Sequence, residues 1–89
     1  MTTEQREMLR LSLLGIANSA AAYGITLEVF RVYLRARGFN VTDDEIKPEL
    51  QYLIDKGFLA LCEKQISPEN MHWRITAEGR DFLANQGLA

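Results

Sequence analysis

The sequence predicts a small α+β fold, mostly helical, in which three helices precede a β-hairpin and a fourth helix closes the chain. Three observations carry this expectation. Apolar residues recur at spacings of three and four through the first half of the chain, then alternate strictly after Phe58. Thr26, Thr42 and Thr76 each stand directly before a helical pattern, as N-caps do. Gly-Phe pairs at 38–39 and 57–58 fall where the second and third helices should stop. With 89 residues, 47% hydrophobic and 25% charged, the chain suffices for one self-sufficient core and not for two. A single domain over 1–89 is expected.

Residues 4 to 22 form the first predicted helix, since Leu9, Leu13, Ile16 and Ala20 share one face, and Gly24 ends it. At about 100° per residue, Met8, Leu11 and Leu14 fall on the other side. That second apolar face is expected to meet a second copy of the chain or a protein partner. Tyr23, Gly24 and Ile25 make a short extended link. Thr26 caps the second helix, whose first turn carries Glu28 at the positive end of the dipole and whose core stripe is Leu27, Phe30 and Leu34. Gly38 suits a left-handed C′ position, with Phe39 folding back on Leu34, so this helix stops at Arg37.

The third helix begins at Asp43. Thr42 and Glu45 have capping-box spacing, and Val41 and Ile46 flank them as a hydrophobic staple. Ile46, Leu50, Leu53 and Ile54 continue at helical spacing up to Gly57. Pro48 lacks the amide that would bond the Asp44 carbonyl and crowds that carbonyl, which predicts a kinked or 3₁₀-like first turn. Beyond Phe58, Leu59 and Leu61 alternate with Ala60 and Cys62, and Met71, Trp73 and Ile75 with His72 and Arg74, as in two hairpin strands. Glu63 to Asn70, centred on Ser67-Pro68, is expected to project as a loop. Thr76 caps a last helix, Ala77 to Gln86, that buries Phe82 and Leu83. The core expected to join the third helix to the hairpin is Ile46, Leu50, Leu53, Leu61, Trp73, Ile75 and Phe82.

Ten Lys and Arg against twelve Asp and Glu leave a formal charge of −2. No global positive field draws in nucleic acid or anionic membrane, so such binding has to come from local patches. Cys62 is the only cysteine. It excludes an internal disulfide and a cysteine-built metal site, is expected as a small buried thiol, and points to a reducing cytoplasm. The opening Met-Thr-Thr-Glu-Gln-Arg-Glu lacks the basic-then-apolar order of a signal peptide, and Asn18 and Ser19 interrupt the longest apolar stretch. A soluble cytoplasmic protein is expected. The one histidine, His72, has no nucleophile or base beside it in sequence and is expected as an exposed hairpin residue; the six glycines are scattered at turns and helix ends. No metal-ligand spacing stands out. Neither an enzyme nor a cofactor is expected.

Three stretches carry a likeness to a known family: Gly-Phe-Asn-Val-Thr-Asp-Asp-Glu-Ile (38–46), Leu-Gln-Tyr-Leu-Ile-Asp-Lys-Gly-Phe-Leu (50–59) and Trp-Arg-Ile-Thr-Ala-Glu-Gly (73–79). From 8 to 84 the chain resembles the winged-helix group of helix-turn-helix proteins. Its short length and Ile-Thr-Ala-Glu-Gly-Arg ending (75–80) are similar to small winged-helix-like proteins of Mu-like prophages. The resemblance implies a three-helix core, a hairpin wing of two or three strands and a C-terminal helix. In DNA-binding members the third helix enters the major groove and the wing lies along an adjacent groove. Carried over to this chain, that implies Lys47 and Gln51 as groove-facing, with Tyr52 beside them, Arg31 and Arg35 on phosphates, and Lys64 and Arg74 on the wing.

Charge departs from that pattern. Asp43, Asp44, Glu45, Glu49 and Asp55 outnumber Lys47 and Lys56 along the third helix, whereas Lys and Arg contacts to phosphate give nucleic-acid binding its affinity. Asp43 to Glu45 also serve the helix dipole, and Arg31 and Arg35 also fit an ordinary solvated face. Two functions follow. One is a dimeric, cytoplasmic DNA-binding regulator of bacterial or phage type, with double-stranded DNA as partner. The other is a protein-interaction module that docks through the first helix (Met8, Leu11, Leu14) or the acidic third helix. No membrane and no small-molecule substrate are expected in either.

Overall fold

Capping chemistry sets the order of the elements. The computed structural model describes residues 1–20, 24–62 and 71–87. Its elements are α1 (Thr3–Ser19), α2 (Leu27–Ala36), α3 (Asp43–Asp55), β1 (Leu59–Cys62), β2 (His72–Ile75) and α4 (Ala77–Asn85). The fold is α+β and mostly helical, as the sequence predicts. Each helix starts behind a threonine: Thr2, Thr26, Thr42 and Thr76 each accept a backbone N–H of the first turn. At Thr42 the expected capping box is complete, with the Glu45 carboxylate accepting from the Thr42 amide at 3.0 Å. Thr2 and Gln5 form a second box at the start of α1.

Both Gly-Phe endings close as Schellman motifs. Gly38 (φ 89°) donates to the Arg35 carbonyl at 3.0 Å and Phe39 to that of Leu34 at 2.9 Å. Gly57 (φ 80°) and Phe58 repeat this on Ile54 and Leu53, both at 2.9 Å. α1 stops at Ser19, three residues before the expected end at 22. The Ser19 hydroxyl donates back to the Ile16 carbonyl at 2.7 Å, a side-chain bond that competes with helix continuation. Residues 21 and 22 of the expected helix and Tyr23 of the expected link lie outside the described residues. Pro48 does not produce the expected 3₁₀ turn. α3 is α-helical on both sides of it, with Ile46 donating to the Thr42 carbonyl at 3.0 Å. A tightened bond, Glu45 to the same carbonyl at 3.0 Å, lies at the cap.

β1 and β2 pair antiparallel with Leu59 opposite Ile75 and Leu61 opposite Trp73. Ile25, between α1 and α2, adds an antiparallel bridge to Trp73: its amide donates to the Trp73 carbonyl at 2.7 Å and its carbonyl accepts the Trp73 amide at 2.9 Å. The predicted loop Glu63 to Asn70, with Lys64, lies outside the described residues.

One core joins all elements. Leu9, Leu13, Leu14 and Ile16 of α1 meet Phe30, Leu34, Ile46, Leu50, Leu53, Leu59, Trp73, Ile75 and Leu83. Phe30 and Trp73 pack edge to face with ring centroids 6.2 Å apart. Of the predicted core, Leu61 and Phe82 are only half-buried; Phe82 stacks on Phe58 at 4.6 Å at the rim. Cys62 is half-buried as well.

The expected outer face of α1 needs correction. Leu14 is fully buried and Leu11 packs at the edge of the core, which leaves Met8 alone exposed. The reason is tertiary: α1 is flanked by both α3 and α4, so the apolar arc that touches neighbours is wider than one stripe. Leu14 therefore forms no surface for a second copy or a partner.

α4 is held to the end of α3. The Thr76 amide donates to the Phe58 carbonyl at 3.0 Å and its hydroxyl to the Gly57 carbonyl at 2.6 Å, while that hydroxyl oxygen accepts from the Gly79 amide at 3.0 Å. This brings α4 so near β1 that a Cβ on Gly79 would strike the Phe58 carbonyl oxygen. Among the described residues, no helix is long and apolar enough to cross a membrane.

Candidate interaction surfaces

Tertiary contacts engage two of the acids that the sequence assigns to α3, Asp43 and Glu49. Arg10 on α1 donates from Nε to the Glu49 carboxylate at 2.7 Å, and its guanidinium lies 3.7 Å above the Tyr52 ring. Glu49 is buried. The pair needs this geometry, because a carboxylate withdrawn from water is tolerated only with a charged, hydrogen-bonded partner. The Tyr52 ring is thus engaged by Arg10 and approached by Lys56 Nζ at 5.7 Å. Beside this cluster, Leu11, Leu14, Phe58 and Phe82 line a shallow hollow of about 380 Å³ between α1, α3 and α4.

Arg31, a predicted phosphate contact, is occupied in the same way. Its Nη1 donates to both oxygens of Asp43, at 2.8 and 2.9 Å. That hydrogen bond, followed by the Asp43 charge, raises the guanidinium above the usual arginine range. Asp43 thereby ties the start of α3 to α2, besides serving the helix dipole. Glu45 is engaged in its capping box.

Of the five acids counted on α3, then, Asp43, Glu45, Glu49 and Asp55 accept intramolecular hydrogen bonds, while Asp44 and Asp55 are exposed. The exposed face of the helix carries Asp44, Lys47, Pro48, Gln51 and Asp55, and Gln51 donates to Asp55 at 2.9 Å. The helix is net negative, as read from the sequence, and its exposed face is mixed, with two carboxylates against one lysine.

The other predicted residues lie on three elements. Lys47 and Gln51 share the α3 face, Arg35 is exposed on α2, and Arg74 is exposed on β2. Lys64 lies outside the described residues. His72 is half-buried instead of fully exposed. Among the described residues, no group of three or more His, Cys, Asp or Glu is placed to hold a metal ion.

Sequence reading missed a second apolar stripe on α2. Val29, Val32, Tyr33 and Ala36 are all exposed and follow one another at i, i+3, i+4 and i+7. The spacing is legible in the sequence, but it lies beside the stronger Leu27, Phe30, Leu34 stripe and merges with it in a short helix. Comparison with known proteins adds no assignment: no family model matches the chain, and no curated protein matches it.

Proposed function

We propose that this chain is a winged-helix domain that serves as a protein-interaction module instead of a reader of duplex DNA. The element order supports the winged-helix reading, as does Ile25, which pairs with Trp73 where a third strand would lie. One observation carries the interaction role. The α3 face that would enter a groove sets Lys47 among Asp44, Asp55 and Gln51, while the nearest arginines, Arg10 and Arg31, are held by Glu49 and Asp43. Duplex affinity grows with each cation free to displace a counterion from phosphate. Among the described residues, the predicted contacts without a salt bridge are Arg35, Lys47 and Arg74, one each on α2, α3 and β2.

Fluorescence anisotropy with a random duplex at about 50 mM and about 200 mM salt tests this reading. The expected result is a dissociation constant weaker than about 10⁻⁴ M at the higher salt. Micromolar binding with a steep salt dependence would overturn it and favour the DNA-binding regulator. In that event Arg35→Ala should weaken all sequences alike, and Gln51→Ala should shift sequence preference.

A further inference from the structure

The α2 helix is apolar on two faces. Phe30 and Leu34 fill the core, while on the solvent side Val29, Val32 and Tyr33 remain 37%, 56% and 51% exposed. With Ala36 they span an arc of about 100° opposite the core, where a surface helix ordinarily carries polar residues. The stripe runs on into a hollow of about 330 Å³ that Val29 and Tyr33 share with Gly24, Ile25 and His72.

We propose that this stripe is the contact between two copies of the chain, packed with their α2 helices antiparallel about a two-fold axis. The charges at its ends identify the occupant. Glu28 in the first turn and Arg35 in the last lie on the same flank of the stripe, and neither holds a salt bridge among the described residues. A two-fold axis perpendicular to α2, level with the midpoint between Val32 and Tyr33, keeps each side chain on its flank and reverses its height. Val32 and Tyr33 then each meet their own counterparts, and Val29 lies level with the small Ala36 of the second copy. Glu28 comes within about 3 Å of the height of the second copy's Arg35, at 1.5 Å rise per residue. Symmetry forms that ion pair twice. A parallel arrangement would instead set Arg35 beside the second copy's Arg37 and leave Glu28 without a cation. The stripe is thus complementary in shape and charge to itself.

The ten residues of α2 span about 15 Å. One helix pair of that length buries less than the roughly 800 Å² per partner of a standard interface. The dimer is accordingly weak. This inference goes beyond the reading of α3 and uses a different face, so duplex binding would overturn that reading and leave this one intact.

Sedimentation equilibrium of the full chain from about 10 μM to about 1 mM tests it. The wild type is expected to self-associate. Glu28→Arg alone and Arg35→Glu alone, each with an unchanged far-ultraviolet circular dichroism spectrum, should weaken association at least about tenfold. An equal mixture of the two variants should recover it, because one chain then presents two arginines on the flank and the other two glutamates. Met8→Asp, on α1, should leave association unchanged. A wild type that stays monomeric throughout, single reversals that associate like the wild type, a mixture no tighter than its components, or loss of association in Met8→Asp would each overturn the proposal.

Discussion

Glycine-to-alanine substitution should act with opposite signs at two helical positions, and the difference measures how α4 is seated. Gly15 lies in α1, where a Cβ would meet only the tip of Arg37, Nη1 at 3.4 Å and Nη2 at 3.9 Å. A guanidinium at the end of a flexible stem moves aside easily, so helix propensity decides, and Gly15→Ala should stabilise by about 0.5 to 1 kcal/mol. At Gly79 a Cβ would strike the Phe58 carbonyl oxygen and come within 2.8 Å of Ile75 Cγ1. That carbonyl has no freedom to swing away, since it accepts the Thr76 amide at 3.0 Å. Relief therefore means moving α4 outward, with the Gly79 to Thr76 capping bond strained as well. Overpacking costs about 1 to 3 kcal/mol and a cap about 1 kcal/mol, against a propensity gain of about 1 kcal/mol. The net expectation for Gly79→Ala is destabilisation by about 2 kcal/mol, or a Tm lower by about 10 °C for a domain of this size. Urea titration followed by fluorescence of Trp73, the one tryptophan, reads both variants on one scale. A Gly79→Ala protein within about 0.5 kcal/mol of wild type, or changes of equal sign at both positions, would show that α4 does not rest on Phe58.

Two further expectations use the same titration. Leu50→Ala, at a position 1% exposed, should cost about 2 to 5 kcal/mol, and a loss below about 1 kcal/mol would mean that the inward face of α3 is misassigned. Glu49→Ala should cost about 2 to 3 kcal/mol, below the full value for a broken buried pair because the Arg10 side chain is 25% exposed and keeps its contact with Tyr52. Arg31→Ala, which opens the more exposed pair with Asp43, should cost clearly less; equal losses in the two variants would mean that Glu49 is solvated.

What the sequence made legible is local. Thr26, Thr42, Gly38 and Gly57 act on backbone groups within a few residues, so their roles follow from spacing alone, as does the cap that Thr76 places on Gly79. The alternation at 59–62 and 72–75 likewise needs no knowledge of the rest of the chain. What stayed hidden depends on neighbours distant in sequence. Arg10 and Glu49 are 39 residues apart, and nothing in either segment announces the pair. Leu14 points away from the main stripe of α1 and is covered only because α3 and α4 close over that flank. The same limit distorted the site: charge counted along α3 treats each acid as free, whereas four of the five are held by side chains or by the helix start.

The bonds that Thr76 makes to Gly57 and Phe58 also make one joint of the base of the hairpin and the seat of α4. Phe58 and Thr76 are fixed to each other at 3.0 Å, directly before the pair Leu59 and Ile75. The same threonine hydroxyl holds the Gly57 carbonyl and the first turn of α4. Whatever parts Leu59 from Ile75 therefore loosens the cap of α4 as well, and a lost Thr76 hydroxyl is felt by the strands as much as by the helix.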